Sequence, residues 1–463
     1  MRSAAEVAAR LDQDHEVIVE TLKELLRIPS VSALSQHRGD VDRCAAWLAE
    51  HMRAIGLEQV AVMPTEGNPV VYGDWLHAPG APTALVYGHY DVQPVDPLDE
   101  WERPPFEPVV RDGSIFARGA VDDKGQLFMH LKVVEAYLRD GGSLPMNLKF
   151  LLEGEEEIGS EHLDHFIADH VPLLQADVAV ISDTSMFAKG VPSITYGLRG
   201  ITYLQVDVRG SAVDLHSGTF GGAVANPIQV LCEMLVALKD GDDRVTVPGF
   251  YDRVRALRDD ERKAWSSLPF DEGLFRTQAA LPANRPLRGE AGFSTLERVW
   301  ARPTLEINGI WGGFQGEGAK TVIAAEAHAK LSCRLVPDQD PGGVAALVRD
   351  HLLRTAPPTV DVEVTVIHSG RPSLTPIEHP AIQSGLRALE RGFPGQHATF
   401  IRSGGSIPVV ATFQDVLGVP TVLLGVGLDE EHAHAPNERF HLENFAGGMR
   451  SVAHLWEDLA RTL

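Results

Sequence analysis

The sequence predicts an α/β fold: a mostly parallel sheet with helices on both faces, interrupted by an inserted α+β domain. Up to residue 200, short apolar runs alternate with helical stripes, which is typical of strands and helices in a parallel sheet. Residues 201–381 show half-buried alternation instead, which is typical of antiparallel strands with one solvated face. Near residue 382 the first pattern resumes.

The first region begins with two amphipathic helices. Apolar residues spaced by three and four positions predict one helix over residues 18–26, ending before Pro29, and another over residues 41–55, closed by Gly56. The apolar runs at 84–87, 148–152 and 176–181 predict strands, and residues 127–138 predict a helix between the first two.

The middle region has different periodicities. Residues 204–208 and 360–366 alternate apolar and polar side chains, and residues 331–335 form a third strand. Helices are predicted over 227–238 and 344–353, and residues 240–300 are polar and rich in charge. After residue 382, a late apolar strand is predicted at 421–425. We therefore expect residues 1–200 and 382–463 to form one domain and residues 201–381 a second domain inserted into it.

Composition narrows the classes of function. The 463 residues include 41 basic and 64 acidic side chains, a formal charge of −23, which argues against a nucleic acid or an anionic membrane as partner. The three cysteines are far apart and match neither a zinc motif nor a disulfide framework. We see no signal peptide and no transmembrane run, so the expected location is the cytoplasm.

Five segments place a carboxylate or an imidazole just after an apolar run. Because the carboxyl ends of parallel strands meet at one edge of a sheet, these side chains are expected to converge in one crevice. Two histidines with several acids and no nearby cysteine are typical of a site for divalent cations. The segments are 88–91, 119–125, 153–157, 182–183 and 432–434.

Taken singly, each of these segments has an ordinary explanation. His89 and Asp91 could be a surface pair, although their spacing suits a metal ligand with a carboxylate that orients it. Asp122 could cap a helix, and Asp183 could form a turn. The acids at 155–157 could be a solvated loop, and the two histidines at 432 and 434 are a weak signal in isolation. The hypothesis of a metal-dependent hydrolase depends on the whole set.

The set of motifs resembles one family, the co-catalytic zinc peptidases. That family includes the carnosine-type dipeptidases, aminoacylase, succinyl-diaminopimelate desuccinylase and glutamate carboxypeptidase, and the resemblance is closest to the branch of cytosolic nonspecific dipeptidase and carnosinase. The motifs that carry it are Gly-His-Tyr-Asp-Val-Gln-Pro (88–94), Arg-Gly-Ala-Val-Asp-Asp-Lys-Gly (118–125), Glu-Gly-Glu-Glu-Glu-Ile-Gly-Ser (153–160), His-Ser-Gly (216–218), Arg-Leu-Val-Pro (334–337), Gly-Gly-Ser-Ile-Pro (404–408) and His-Ala-Pro-Asn-Glu (434–438).

The resemblance implies a role for each site residue. Asp122 would bridge two divalent ions, with zinc as the first choice and manganese or cobalt as alternatives. His89 and Asp183 would complete one cation site, and Glu157 and His434 the other. Glu156 would act as the general base and Asp91 would orient His89, and the Asp122–Asp123 peptide is often cis in this family.

The resemblance also implies residues that contact the substrate. His216 would stabilise the oxyanion from a second subunit of a homodimer formed through the inserted domain. Arg334 would clamp a substrate carboxylate, beside Thr321, Gly405 and Ser406. The sequence has Ser403 where eukaryotic relatives often have Glu, which leaves the preferred side chain of the substrate open.

The expected activity is hydrolysis of dipeptides with a free amino terminus, through a water that bridges the two metal ions. Asp183 motivates this expectation, because Asp at that position accompanies peptidases that act on free amines, whereas Glu accompanies N-acyl hydrolases and carboxypeptidases. The alternative is an N-acyl-amino-acid deacylase of the acetylornithine or succinyl-diaminopimelate type. A third hypothesis is an inactive metal-binding scaffold, which the presence of every expected ligand and of the base disfavours.

Overall fold

The structure, a computed structural model, describes residues 2–282 and 284–463. Residue 1 of the predicted first domain and residue 283 of the predicted inserted domain therefore lie outside the described residues. The helices are α1 (Ala4–Gln13), α2 (His15–Leu26), α3 (Arg38–Ala54), α4 (Lys124–Leu138), α5 (Leu163–Asp169), α6 (Val171–Leu174), α7 (Ser217–Phe220), α8 (Pro227–Val236), α9 (Asp259–Ser266), α10 (Glu272–Gln278), α11 (Thr295–Ala301), α12 (Pro341–Thr355), α13 (Pro380–Gly392), α14 (Pro408–Thr412) and α15 (Leu442–Thr462).

Seven strands of the structure overlap the seven predicted from the sequence, and the others were not predicted. They are β1 (Glu58–Met63), β2 (Val70–Trp75), β3 (Thr83–His89), β4 (Val109–Arg111), β5 (Ser114–Phe116), β6 (Asn147–Glu153), β7 (Val178–Ile181), β8 (Ser193–Leu198), β9 (Gly200–Arg209), β10 (Leu215–His216), β11 (Thr304–Gly312), β12 (Val322–Ile323), β13 (Glu326–Leu335), β14 (Asp361–Gly370), β15 (Ser373–Leu374), β16 (Thr399–Ser403), β17 (Thr421–Leu423) and β18 (Arg439–His441). None of the helices in the described ranges is long and apolar enough to cross a membrane.

The chain divides into two compact units. The first runs to Tyr196 and adds Thr375–Ile401 and Val409–Leu463, and the second comprises Gly197–Leu374 and Arg402–Pro408. The first unit is therefore assembled from three separate stretches of chain, and its last stretch contains the histidines at 432 and 434.

The predicted α/β fold is confirmed, and its parallel part is the centre of a nine-stranded sheet. The strand order is β1-β2-β6-β3-β7-β17-β8-β15, with β16 beside β8. Strands β6, β3, β7 and β17 are parallel neighbours. Strands β1, β2 and β8 pair antiparallel with their neighbours. The carboxyl ends of the four parallel strands therefore lie at one edge of the sheet.

Both faces of the parallel strands are covered, which explains why these strands are continuous apolar runs. Val86 on β3 belongs to a core cluster with Leu127 on α4 and Trp456 on α15. On the opposite face, the ring of Tyr87 meets Phe413 edge to face, with centroids 5.8 Å apart. A strand buried on both sides holds its last residue in a fixed position, and for β3 that residue is His89.

The second unit contains a four-stranded antiparallel sheet of order β11-β13-β9-β14. Burial along β9 alternates residue by residue, as the sequence predicts. Val206 and Val208 pack into a core with residues of α8 and α12. Gln205 and Asp207 lie on the other face, where Nε2 of Gln205 donates to the Asp207 carboxylate at 3.0 Å.

The polar stretch at 240–300 is partly helical and partly buried. It contains α9, α10 and α11, and the buried rings of Trp265 and Trp300 meet edge to face with centroids 5.3 Å apart. Several of its charges are also buried, such as Glu290, which forms a 2.7 Å ion pair with Arg302. These charges are paired within the second unit, so they do not indicate a solvated linker.

Candidate metal centre

The site begins at the carboxyl ends of the parallel strands. His89 is the last residue of β3 and lies opposite Glu153, the last residue of β6. Asp183 comes two residues after Ile181, where β7 ends. The turn with Asp122 immediately precedes α4, and Glu156 and Glu157 follow β6 in a short turn. His434 lies in the loop between β17 and β18.

Asp122 is shared by two groups of potential cation ligands. Its Oδ1 lies 3.1 Å from Nε2 of His89, and that nitrogen is 3.9 Å from Oδ2 of Asp183. Its Oδ2 lies 2.8 Å from Nε2 of His434, which is 3.2 Å from Oε2 of Glu157. Within each group of three residues, one ligand atom from each lies within 4.8 Å of the others. The two oxygens of one carboxylate therefore face two different groups, which is the arrangement of a bridging ligand.

The imidazole of His89 has a defined tautomer. Its Nδ1 lies 3.1 Å from the main-chain oxygen of Asp91 and 3.5 Å from Oδ1 of the same residue. Because a carbonyl oxygen only accepts, Nδ1 carries a proton in this contact, and Nε2, which faces Asp122, is the ring nitrogen that could bind a cation. The side chain is fully buried, so this orientation is fixed.

The carboxylate of Asp91 has a different principal contact from the predicted one. It was expected to orient His89, but the nearer acceptor for that ring is the main-chain carbonyl. The carboxylate oxygens accept the main-chain N–H groups of Glu156 at 3.2 Å and Glu157 at 3.1 Å. The side chain of Asp91 therefore positions the segment of the predicted base as well as lying near the histidine.

The three consecutive glutamates have separate surroundings. The carboxylate of Glu155 accepts the main-chain N–H of Asn68 at 2.8 Å and lies 2.9 Å from Nδ1 of His162. Glu157 belongs to the second ligand group, and its Oε2 also accepts from Nε2 of Gln93 at 2.7 Å. The sequence showed three consecutive glutamates but could not show that their side chains have different partners, because the three residues are identical in type and adjacent.

The electrostatics of the site favour added positive charge. Burial is the main cause that raises the pKa of Glu156 to about 7; His89 lowers this pKa, and the nearby Glu157 and Asp122 raise it. Burial, then Asp123, holds the pKa of Asp183 well above its usual range. Hydrogen bonds to Asp122 and Glu157 raise the pKa of His434 to about 10. Without cations, the carboxylates thus draw protons onto the histidines, and divalent cations would satisfy the same demand.

The donor set also fits such ions. It consists of imidazole nitrogens and carboxylate oxygens, which suit zinc, manganese and cobalt.

The Asp122–Asp123 peptide is cis, as the resemblance implied. His432 is exposed and lies in neither ligand group.

Two buried residues of this region received no role from the sequence. Glu438 accepts from Nη1 of Arg118 at 2.8 Å and from main-chain N–H groups of the turn that carries Asp122. Both residues belong to motifs that carry the resemblance, and membership of those motifs was the signal that could have marked them as functional.

The predicted substrate residues lie in the second unit, in two groups. His216 is exposed at the end of β10, and its Nδ1 accepts the N–H of Gly218 at 3.0 Å, which assigns the ring proton to Nε2. Thr321 lies beside it, since its carbonyl accepts the N–H of Ser217 at 3.1 Å and Val322 pairs with His216.

The other group surrounds Arg334 on β13. Its Nη1 donates to Oγ of Ser406 at 3.0 Å, and Ser406 donates to the carbonyl of Arg199. The N–H of Arg199 donates to the carbonyl of Gly405 at 3.1 Å. Arg199 was not predicted; it follows directly on β8 and holds the loop of Gly405 and Ser406 beside Arg334.

Comparison with known proteins identifies relatives over nearly the whole chain. The chain is 33% identical to the Cys-Gly metallodipeptidase dug1 of Schizosaccharomyces pombe over 465 residues, which covers 97% of each protein. Human carnosine dipeptidase 1 is 30% identical, with a TM-score of 0.82 and coverage of 99% of each chain. The M20 family metallo-carboxypeptidase Sso-CP2 of Sulfolobus solfataricus is also 30% identical, with a TM-score of 0.85 and coverage of 96% of this chain and 99% of that one.

The model of one family matches residues 85–458, a range that includes every residue of both ligand groups. The resemblance to metal-dependent peptidases of the carnosinase and dipeptidase branch is therefore confirmed, and the chain belongs to the peptidase family M20/M25/M40.

Proposed function

We propose that this chain is a di-metal dipeptidase that hydrolyses the peptide bond of dipeptides with a free amino terminus. The observation that carries the proposal is the sharing of Asp122 between two ligand groups. His89, Asp122 and Asp183 would hold one cation, and Asp122, Glu157 and His434 the other. When bound, the cations would supply Lewis-acid activation of a water and of the scissile carbonyl.

Glu156 is the proposed general base. It takes a proton from the attacking water and passes it to the leaving amine. Glu156 belongs to neither ligand group, so its carboxylate is left to accept a proton from the water and to return it. The bonds from the main chain of Glu156 and Glu157 to Asp91 hold this segment in place.

The second unit provides the proposed contacts with the substrate. The guanidinium of Arg334 binds the terminal carboxylate, next to the loop of Gly405 and Ser406. The Nε2–H of His216 has no hydrogen-bond partner within the described ranges, and it serves the developing oxyanion. Thr321, beside His216, lines the same region. We assign His216 to the site of a second subunit in a homodimer formed through this unit.

Relatives that are named dipeptidases support this activity over the alternative of an N-acyl-amino-acid deacylase. Zinc is the proposed cation, with manganese and cobalt as alternatives, and the cytoplasm is the proposed location. A small peptide is the proposed substrate.

A substrate panel tests the activity. We expect the purified protein, loaded separately with zinc, manganese or cobalt, to cleave unmodified dipeptides and to leave their N-acetylated forms intact. Faster release of acetate or succinate from N-acylated amino acids would replace the proposal with a deacylase. Cleavage of N-acetylated dipeptides or of the last residue of longer peptides would indicate a carboxypeptidase. Metal analysis should give two ions per chain in the active form.

A further inference from the structure

We propose that Glu438 is a positioning residue that fixes the two cation positions by holding the turn that carries Asp122. This inference rests on the proposed metal site, but it concerns a residue outside both ligand groups. Glu438 touches neither the cations nor the substrate in this scheme and acts through Asp122.

The carboxylate of Glu438 is fully buried, and four donors surround it. Its Oε2 accepts from Nη1 of Arg118 at 2.8 Å and from the N–H of Gly119 at 2.9 Å. Its Oε1 accepts from the N–H of Val121 at 3.0 Å and of Asp122 at 3.2 Å. Three of these bonds come from main-chain N–H groups of the turn, and one of the three comes from the proposed bridging ligand, Asp122, itself.

Glu438 also connects this turn to the loop that carries the other proposed histidine ligand. It is four residues after His434, and its main-chain oxygen accepts the N–H of Ala117 at 3.1 Å. The loop needs such support, because His432, His434 and Asn437 all have φ of 61°, a left-handed conformation that costs energy in residues other than glycine. Glu438 thus links the turn of Asp122 to the loop of His434, and its contacts help to determine the distance between these two residues.

Only a carboxylate meets this set of donors. Both oxygens of Glu438 accept two bonds each, and nothing on that side chain needs to donate. A glutamine would have to place its NH₂ group against either Arg118 and Gly119 or Val121 and Asp122. In both orientations two acceptor contacts become contacts between donors, so the turn must shift.

A purely structural role is the competing explanation, and Glu431 provides a matched control. Glu431 is also fully buried and lies in the same part of the chain. It accepts the N–H of Leu428 at 2.7 Å and of His441 at 2.6 Å, and it lies 2.6 Å from Nδ1 of His441. Among the described residues, its hydrogen bonds do not include the turn of Asp122. Loss of either carboxylate removes buried hydrogen bonds, but only Glu438 contacts a proposed ligand.

The test is metal binding by purified full-length protein. Apo forms of wild type, Glu438→Gln and Glu431→Gln are titrated with Zn²⁺ in equilibrium dialysis, and the visible spectrum is recorded with Co²⁺ in its place. We expect Glu438→Gln to weaken the binding of both ions by about 10–100-fold, the usual effect of losing a partner that orients a ligand, and to change the Co²⁺ spectrum. Glu431→Gln should lower the melting temperature while keeping the affinity and the spectrum of wild type.

The outcomes separate the two proposals. If wild type binds no metal, the proposed function fails first. If wild type binds two ions and Glu438→Gln binds them equally well, or if both variants lose affinity in proportion to their loss of stability, Glu438 is not a positioning residue. If Glu438→Gln does not fold, Glu438→Asp replaces it: this variant keeps the charge but is too short to reach all four donors, and unchanged affinity and spectrum would overturn the inference.

Discussion

The two units of the chain hold their functional candidates in different ways. In the first, three carboxylates belong to the two ligand groups and Glu156, the proposed base, adds a fourth. His89 is fully buried there, with both ring nitrogens engaged. In the second, the candidates are Arg334 and the exposed His216. Burial lowers the pKa of Arg334, and burial followed by the charge of Arg334 lowers that of Arg199 to about 10.

This difference indicates a division of tasks. A buried acidic cluster attracts cations and tunes a base, whereas two partly buried guanidiniums attract an anion such as a peptide carboxylate. Substitutions in the first unit should therefore change metal binding or the chemical step, and substitutions at Arg334 should change substrate affinity. His216 is the expected exception: it lies in the second unit, but a substitution there should change the chemical step, because His216 is expected to stabilise the transition state.

The largest effect is expected at Glu156. Glu156→Ala should reduce kcat by about 10²–10⁴-fold, because it removes the proton acceptor, while metal analysis finds the same content as in wild type. Glu155→Gln is the matched control, since the carboxylate of Glu155 contacts Asn68 and His162 and lies in neither ligand group. Wild-type turnover in Glu156→Ala would refute the assigned base.

The next largest effect is expected at His216. His216→Ala should lower kcat by about 10²–10³-fold through loss of an oxyanion donor, with unchanged metal content. Mixing it with Glu156→Ala tests whether His216 acts across a dimer. Subunit exchange should restore activity, since one site of each mixed dimer then contains both native residues. Two inactive parents that stay inactive after proven exchange would place His216 in its own subunit's site.

A smaller effect is expected at Arg334, in KM rather than in kcat. A hydrogen bond to a charged group contributes about 1.5–3 kcal/mol, so Arg334→Ala should raise KM for dipeptides by roughly 10–100-fold. Arg334→Lys keeps the positive charge but cannot donate two parallel hydrogen bonds to a carboxylate, so it should recover only part of the lost substrate affinity. An equal KM for wild type and Arg334→Ala would remove this residue from the carboxylate site.

The smallest effect is a pH dependence of metal binding. The pKa of His434, raised to about 10 by Asp122 and Glu157, means that the metal-free site holds a proton that must leave before the ring can bind a cation. Affinity should therefore rise with pH, by roughly tenfold per unit for each proton released. Calorimetry of Zn²⁺ binding in buffers of different ionisation enthalpy counts these protons. A count of zero at neutral pH would contradict the assigned ligand.

Sequence reasoning succeeded where local pattern determines position. The strands before His89 and Asp183 are recognisable as apolar runs, and burial on both faces forces the next polar residue to the sheet edge. It could not separate Glu155 from Glu156 and Glu157, because their different partners, such as Asn68, come from distant parts of the chain.

Other features were hidden for related reasons. The main-chain contact of Asp91 with His89 depends on backbone geometry, which residue types do not encode. The sequence showed only that residues 240–300 are polar and rich in charge, and it could not show that Glu261 and Glu290 are buried and paired with arginines. The residues of the second unit were identified through resemblance alone, since loops and edge positions lack a diagnostic periodicity.

The three-part assembly of the first unit has a consequence during synthesis. The proposed ligands leave the ribosome in the order of the chain. Four of the five are available once Asp183 has emerged, whereas His434 follows 251 residues later, more than half the length of the sequence. A nascent polypeptide would thus expose an incomplete acidic pocket for most of its translation. Loading with two ions can be completed only after the last segment has folded back onto the earlier ones.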